Sequence, residues 1–232
     1  VTVPLSAPRS WLSEFRLRVR RERALIALFD LSRQKGAGLR LAKLYAFGVF
    51  VSYALVISLT RGNGREAAIH GFVRAALVSL SWVVGGLAAL GTAQSLAQQS
   101  ERDALSALAL QRGFAHSSLF RARTAAATLR VARLVGIPAL LLVAVGVARG
   151  SSLSWALAVA PAVVVYACVL GLTLAFLAQL SAELSARHPR ALLAMFVLGP
   201  LLLSLANPRY PSLPRLFSGL LSQLLSVGAA LS

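Results

Sequence analysis

The chain has 232 residues, of which 57% are hydrophobic and only 13% charged, with a mean hydropathy of +0.73. A soluble domain carries about a quarter charged residues, so this composition, gathered into apolar runs of roughly 20, predicts an all-α, polytopic membrane protein. The net charge of +17 does not imply a nucleic-acid partner, because the 24 Lys and Arg fall between the apolar runs, where basic residues set topology.

Residues 1–40 form a basic leader. The first apolar run begins near Leu41, too far along for the short core of a cleavable secretory signal, so none is expected. With Val1 read as an alternative start codon, the chain is expected to be full length. Trp11 to Ser32 contain no Gly or Pro, and Trp11, Phe15, Val19, Ile26 and Phe29 fall near one helical face. Arg16, Arg18, Arg20, Arg21 and Arg23 crowd the middle. The spacing predicts a helix lying in the membrane interface, its arginines reaching anionic headgroups, in preference to a solvated or calmodulin-like basic helix. Gly36 and Gly38 are expected to end it.

A single transmembrane domain follows over 41–232, with spans near 41–60, 72–96, 134–148, 153–180, 191–206 and 216–231. The last run has only about 16 residues, so five spans and a re-entrant segment are the alternative. Gly85, Gly86, Ala88, Ala89 and Gly91 in the second run are expected to let helices approach closely. Pro138 predicts a kink or local loosening of the third span. RGSS is a short turn, and Cys168, the only cysteine, is expected to be a membrane-buried packing thiol.

Catalysis needs acids, bases or nucleophiles grouped away from water. All seven acids (Glu14, Glu22, Asp30, Glu66, Glu101, Asp103 and Glu183) lie outside the expected spans, and His70, His116 and His188 fall one to a loop. No metal, cofactor or catalytic centre is expected on this chain, and no phosphate-binding glycine loop occurs. The expected spans lack the mid-span ionisable groups that ion-coupled transport usually requires; Arg74 and Arg133 sit near span ends, within snorkelling distance of headgroups. Any energy for transport should come from a partner.

The stretch from Gln98 to Arg133 is the one long charged interruption of the hydrophobic part of the chain. Leu105, Leu108 and Leu110 with Ala104 and Ala107 make a short helix apolar over much of its surface. Glu101 and Asp103 stand in its first turn, Arg112 in its last, and Gly113 closes it. Such a helix needs a groove, in this chain or in another subunit. Eighteen of the 24 basic residues lie in the chain through Lys43, this stretch and the 187–190 loop, against six on the other side. The asymmetry places the central stretch and both termini in the cytoplasm and requires an even number of spans.

With this layout, the run Ser100-Glu101-Arg102-Asp103-Ala104-Leu105-Ser106-Ala107-Leu108 resembles a motif of the permease subunits of ABC-2 type transporters, Glu-Arg-x-x-Gly-Thr/Ala-Leu-x-x-Leu. Asp103 replaces the motif's Gly. Gln111-Arg112 stand where Ser-Pro is common, and Arg121 or Arg123 where Lys is common. The resemblance implies an elbow helix carrying Trp11, Phe15, Arg16, Arg20 and Arg23. It implies a coupling helix of Glu101, Arg102, Asp103, Leu105, Leu108 and Arg112, seated on a separate ATPase subunit that binds ATP and Mg. It further implies an external gate at Pro200, Asn207, Pro208, Tyr210 and Pro211, and an assembly of two ATPases with two permeases, homodimeric or heterodimeric, in the bacterial inner membrane. An integral membrane anchor that docks a cytoplasmic machine without moving a substrate would use the same helix and is the competing expectation. Mostly apolar span residues agree with a lipid-like or amphipathic cargo.

Overall fold

The computed structural model describes residues 19–27, 29, 37–62, 64–100, 107, 110–185, 187–206 and 216–223. Among them every regular element is helical. After a leader helix over residues 19–27 come α1 (Ala37–Leu59), α2 (Arg65–Ser79), a π-helical turn (Leu80–Val84), α3 (Gly85–Ser100), α4 (His116–Ala148), α5 (Leu153–Leu184) and α6 (Pro189–Ala206). Residues 216–223 are also helical. Four rods are long and apolar enough to cross a bilayer: Gly38–Leu59, Arg65–Leu96, His116–Ala148 and Leu153–Leu184. The chain is therefore a multi-pass helical membrane protein.

The helices outrun the apolar runs that announce them. The second rod starts at Arg65, not near 72, and the third at His116, eighteen residues before Leu134. Ala, Leu and Arg are all strong helix formers, so the charged residues of 116–133 interrupt the hydropathy without interrupting the helix. A 33-residue helix is about 50 Å long, against a hydrocarbon core of about 30 Å. About a dozen residues of α4, and as many of its antiparallel neighbour α5, are thus left outside hydrocarbon. α4 continues through Pro138 and α5 through Pro161 without a break in assignment. The fifth expected span coincides with α6 to within two residues at its start. For the sixth, 216–223 is helical and the remainder lies outside the described residues.

The turn at 149–152 shows how local chemistry sets the hairpin. Gly150 has φ +102, its N–H bonds the Val147 carbonyl at 3.0 Å, and the Ser151 N–H bonds the Gly146 carbonyl at 3.0 Å. This is a Schellman ending, with glycine taking the left-handed position that side chains disfavour. Ser152 then caps α5, its hydroxyl accepting from the Trp155 N–H at 3.4 Å. At the other end of α5, Pro189 opens α6 in the first helical turn, where its missing N–H costs nothing.

The core is built on the α4–α5 hairpin, with α3, the π-turn, α1 and α6 around it. Small residues do the joining. A Cβ at Gly171 of α5 would lie 2.7 Å from the Thr128 carbonyl oxygen of α4, and one at Gly136 would lie 3.4 Å from Ala167 Cβ. Gly38 and Gly91 bring α1 against α3 so closely that a Cβ on Gly38 would sit 3.3 Å from Gly91 Cα. Gly38 therefore lies in the first turn of α1, where the missing side chain serves a backbone crossing; Gly36, with which it was expected to end the leader helix, lies outside the described residues. Gly85 fills the expected packing role against Leu174, but Gly86 faces open space. On α1, Leu39, Ala42, Ala46, Val49 and Ile57 are buried while Leu41, Leu44, Phe47, Leu55 and Leu59 point outward, as lipid-facing residues do. Cys168 also points outward from α5, among Val164, Val165 and Leu172, and packs no core. With apolar solvent outside as well as inside, an apolar thiol has no preference for the core.

Candidate docking face and the helices behind it

One end of the bundle gathers the leader helix, residues 110–115, the start of α4 and the 185–188 connection. A second hydrophobic cluster, separate from the main core, holds it together. Leu25 and Phe29 of the leader pack onto Leu119, Ala122 and Ala126 of α4, with Ile26, Leu110 and Phe114 at the margin. These α4 positions recur at i, i+3 and i+7 and make one stripe. The apolar face of the leader, expected to meet lipid, thus contributes two of its residues to protein packing. Burying a Leu and a Phe stabilises the junction by about 3–6 kcal/mol before entropy is counted.

Polar contacts tie the same junction. The Arg130 guanidinium, buried in the middle of α4, donates to the Phe29 carbonyl at 3.4 Å. The Arg123 guanidinium lies 5.5 Å above the Phe29 ring, in cation–π range. Glu22 and Arg121 face each other at 3.6 Å; both are well exposed, so this pair adds little. Arg123 and Arg130 are seven residues apart, two turns on one face, which is the sequence signal for this contact. The seven-residue spacing shows only once 116–133 is read as helix.

Deeper in the hairpin, the Thr124 hydroxyl contacts Gln179 Oε1 at 2.6 Å, and Gln179 Nε2 donates to Glu183 Oε1 at 3.4 Å. Gln179 is only 3% exposed. Glu183, expected in a loop, stands in the last turn of α5. The ladder joins α4 to α5 where they leave the apolar zone, and a half-satisfied version would be costly.

At the opposite end, Glu66 Oε1 accepts from the Ser152 N–H at 3.1 Å and lies 3.8 Å from His70 Nε2. The His70 ring stacks on Trp155, centroids 4.2 Å apart and planes 10° from parallel. Arg149 donates to the Ser58 carbonyl near the end of α1. His70 is therefore no loop residue, but part of a lock between α2 and the start of α5. Arg74, expected to snorkel from a span end, sits more than two turns into α2 and donates to Ser222. With Arg74 and Arg130 inside long helices, the rods are less free of charge than hydropathy implied. Arg133 is exposed on α4.

Of the residues expected to couple to a partner, Arg112 is described and exposed, next to Gly113 at φ +80, whose N–H bonds the Leu110 carbonyl at 2.9 Å. Glu101, Arg102, Asp103, Leu105 and Leu108 lie outside the described residues. On the leader, Arg20 and Arg23 are exposed on the helix; Trp11, Phe15 and Arg16 lie outside. Pro200 falls within α6, while Asn207, Pro208, Tyr210 and Pro211 lie outside.

The rods α4 and α5 join the end that holds the leader cluster to the end that holds the Glu66, His70 and Trp155 contacts. The fold defines a multi-pass helical membrane protein with an extended helical hairpin. Comparison with known proteins adds no family: no family model, curated protein or solved structure matches the chain.

Proposed function

We propose that the chain is the membrane permease subunit of an ABC-2 type exporter, driven by ATP and Mg bound on two separate ATPase subunits and working with a second permease copy. In this reading the membrane is the bacterial inner membrane, the chain crosses it six times, and the termini and residues 98–133 are cytoplasmic. Glu101–Arg112 is the coupling helix and the leader is the elbow. Residues 200–211 contribute the external gate.

The observation that carries the reading is the continuity behind the coupling segment. Leu110 and Phe114, at its end, are packed with the leader helix against an α4 that runs unbroken for 33 residues. A push delivered there by a partner would move the leader and α4 together, and α4 would carry it to the Arg149–Ser58 contact at the other end. A helix moves as a rigid element, so such a displacement is passed on with little lost to bending.

The test is co-purification with ABC ATPase subunits, followed by ATP turnover in reconstituted vesicles. Leu105→Arg and Glu101→Ala are expected to release the partner or to cut its turnover. A partner that stays bound with undiminished turnover in both variants refutes the coupling assignment. A complex whose turnover ignores every offered amphipathic substrate supports a membrane anchor instead.

A further inference from the structure

Between the π-turn and α3 on one side and α5 and α6 on the other lies a cavity of ≈ 520 Å³. Its walls include Trp82, Gly86, Leu90, Leu174, Leu193 and Val197. The volume falls within the range of small-molecule sites, about 300–1,000 Å³. Ser81 supplies the single hydroxyl among the described lining residues, and that hydroxyl is spent on the Leu77 carbonyl at 2.6 Å. Among the described lining residues the Trp82 indole N–H is the one other polar side-chain group, and the walls are otherwise hydrocarbon. The Trp82 and Tyr166 rings both meet Phe217 in T-shaped contacts, with centroids 6.5 and 6.0 Å away, which holds the Trp82 wall in place. A Cβ at Gly86 would meet nothing within 4 Å, so the missing side chain is part of the space.

Position along α6 identifies the occupant. Leu193, Ala194, Val197 and Leu198 stand about 6–14 Å along the helix from Pro189, on the apolar side of its basic start. Arg190 is exposed and lies on the stripe of Ala194 and Val197, at i, i+4 and i+7; Arg187 is exposed just before it. Arg190 thus stands one helical turn along α6 from Ala194, a residue of the largely apolar cavity wall. An amphiphile with an anionic head and a hydrocarbon tail satisfies both features at once. A polar solute would leave the apolar walls unmatched. We propose that this cavity is a binding site for an anionic glycerophospholipid, one acyl chain lying against Trp82 and Gly86 and the phosphate over Arg190. The site belongs to a single copy of the chain and requires no partner subunit.

The test uses the full chain in nanodiscs that present phosphatidylglycerol or phosphatidylcholine with a photoactivatable acyl chain. Crosslinks are expected in the peptides spanning 82–90 and 193–198. The anionic lipid should label about fivefold more strongly, the weight of one arginine near an anionic headgroup. Gly86→Phe and Ala194→Phe fill the chamber from opposite walls and should lower labelling by about tenfold or more, with helicity and monodispersity unchanged. Arg190→Gln should abolish the headgroup preference while leaving chain labelling in place. Labelling spread over the outer face of α1 and indifferent to either Phe substitution overturns the site. So does a wild-type protein whose cavity peptides are not labelled, which would mean that the chain's own residues fill the space. Equal labelling by the two lipids overturns the role of Arg190. If one Phe variant fails to fold, the wild-type crosslink map and the other variant still decide.

Discussion

Gly171 is where a single methyl group should be felt most. A Cβ there would lie 2.7 Å from the Thr128 carbonyl oxygen and 3.3 Å from the Ala132 nitrogen, both backbone atoms of α4. Ordinary contact begins near 3.4 Å, so Gly171→Ala forces the two helices about 0.7 Å apart. Backbone cannot rotate away, and the strain spreads along the most extensive helix contact in the molecule. A radial gap of 0.5–1 Å forfeits about a quarter to a half of each dispersion well across the crossing, and overpacking typically costs about 1–3 kcal/mol. Replacing helical glycine by alanine returns about 0.8–1 kcal/mol of propensity, which leaves a net loss of up to about 2 kcal/mol. For a chain of this size the upper end corresponds to a fall in Tm of about 4–8 °C. Gly86→Ala is the control: it gains the same propensity and meets nothing within 4 Å, so its Tm should hold or rise. Thermal unfolding of both variants in detergent, followed by size-exclusion recovery, gives the comparison. If Gly171→Ala is as stable as Gly86→Ala, the close crossing does not exist as described.

Three further outcomes can be checked in the same preparation. Thr124→Val should cost about 1–3 kcal/mol by leaving Gln179 Oε1 buried with no hydroxyl, while the Thr124→Val, Gln179→Leu double variant should cost less than the two singles combined; additive losses would dissolve the ladder. Phe29→Ala should release the leader from α4, seen as faster tryptic cleavage at Arg20, Arg21 and Arg23 with little change in global Tm; unchanged cleavage would mean that the second cluster does not hold the leader. Trp155→Ala should destabilise by about 3–5 kcal/mol through lost burial and the lost stack on His70, whereas Trp155→Phe should recover most of it; equal losses would remove the stacking contact from the argument.

Much of the fold was readable because hydrophobic length and turn chemistry are local. RGSS announced a hairpin, and Gly150 closes it in the left-handed conformation. Hydropathy placed the fifth span at 191–206, within two residues of where α6 starts at Pro189. The start of α4 was hidden because hydropathy scores Arg121, Arg123, Arg130 and Arg133 as loop, although the backbone has no reason to stop there. Facing was harder still. In a bilayer the outside of a bundle is as apolar as the inside, so periodicity loses its contrast and residue size takes over. Gly38, Gly91 and Gly171 mark contacts, Leu41 and Leu172 mark lipid, and Cys168 could have stood on either side. The partnerships of Thr124 with Gln179 and of His70 with Trp155 join residues 55 and 85 positions apart, which no local pattern encodes. The expected coupling residues 101–108 rest on their own sequence.

The π-turn at Leu80–Val84 has a consequence for how this chain tolerates changes of length. A π-turn accommodates an extra residue by widening one turn, so the α-helices on either side keep the facing they would have in a rod one residue shorter. Deleting one of residues 80–84 should therefore tighten the rod to a plain α-helix while Ile69 still meets Gly146 and Gly91 still meets Gly38. The same deletion one turn into α3 would rotate everything beyond it by about 100° and turn Gly91 away from its crossing. A one-residue deletion that the rod absorbs at this turn is thus ruinous a few residues later.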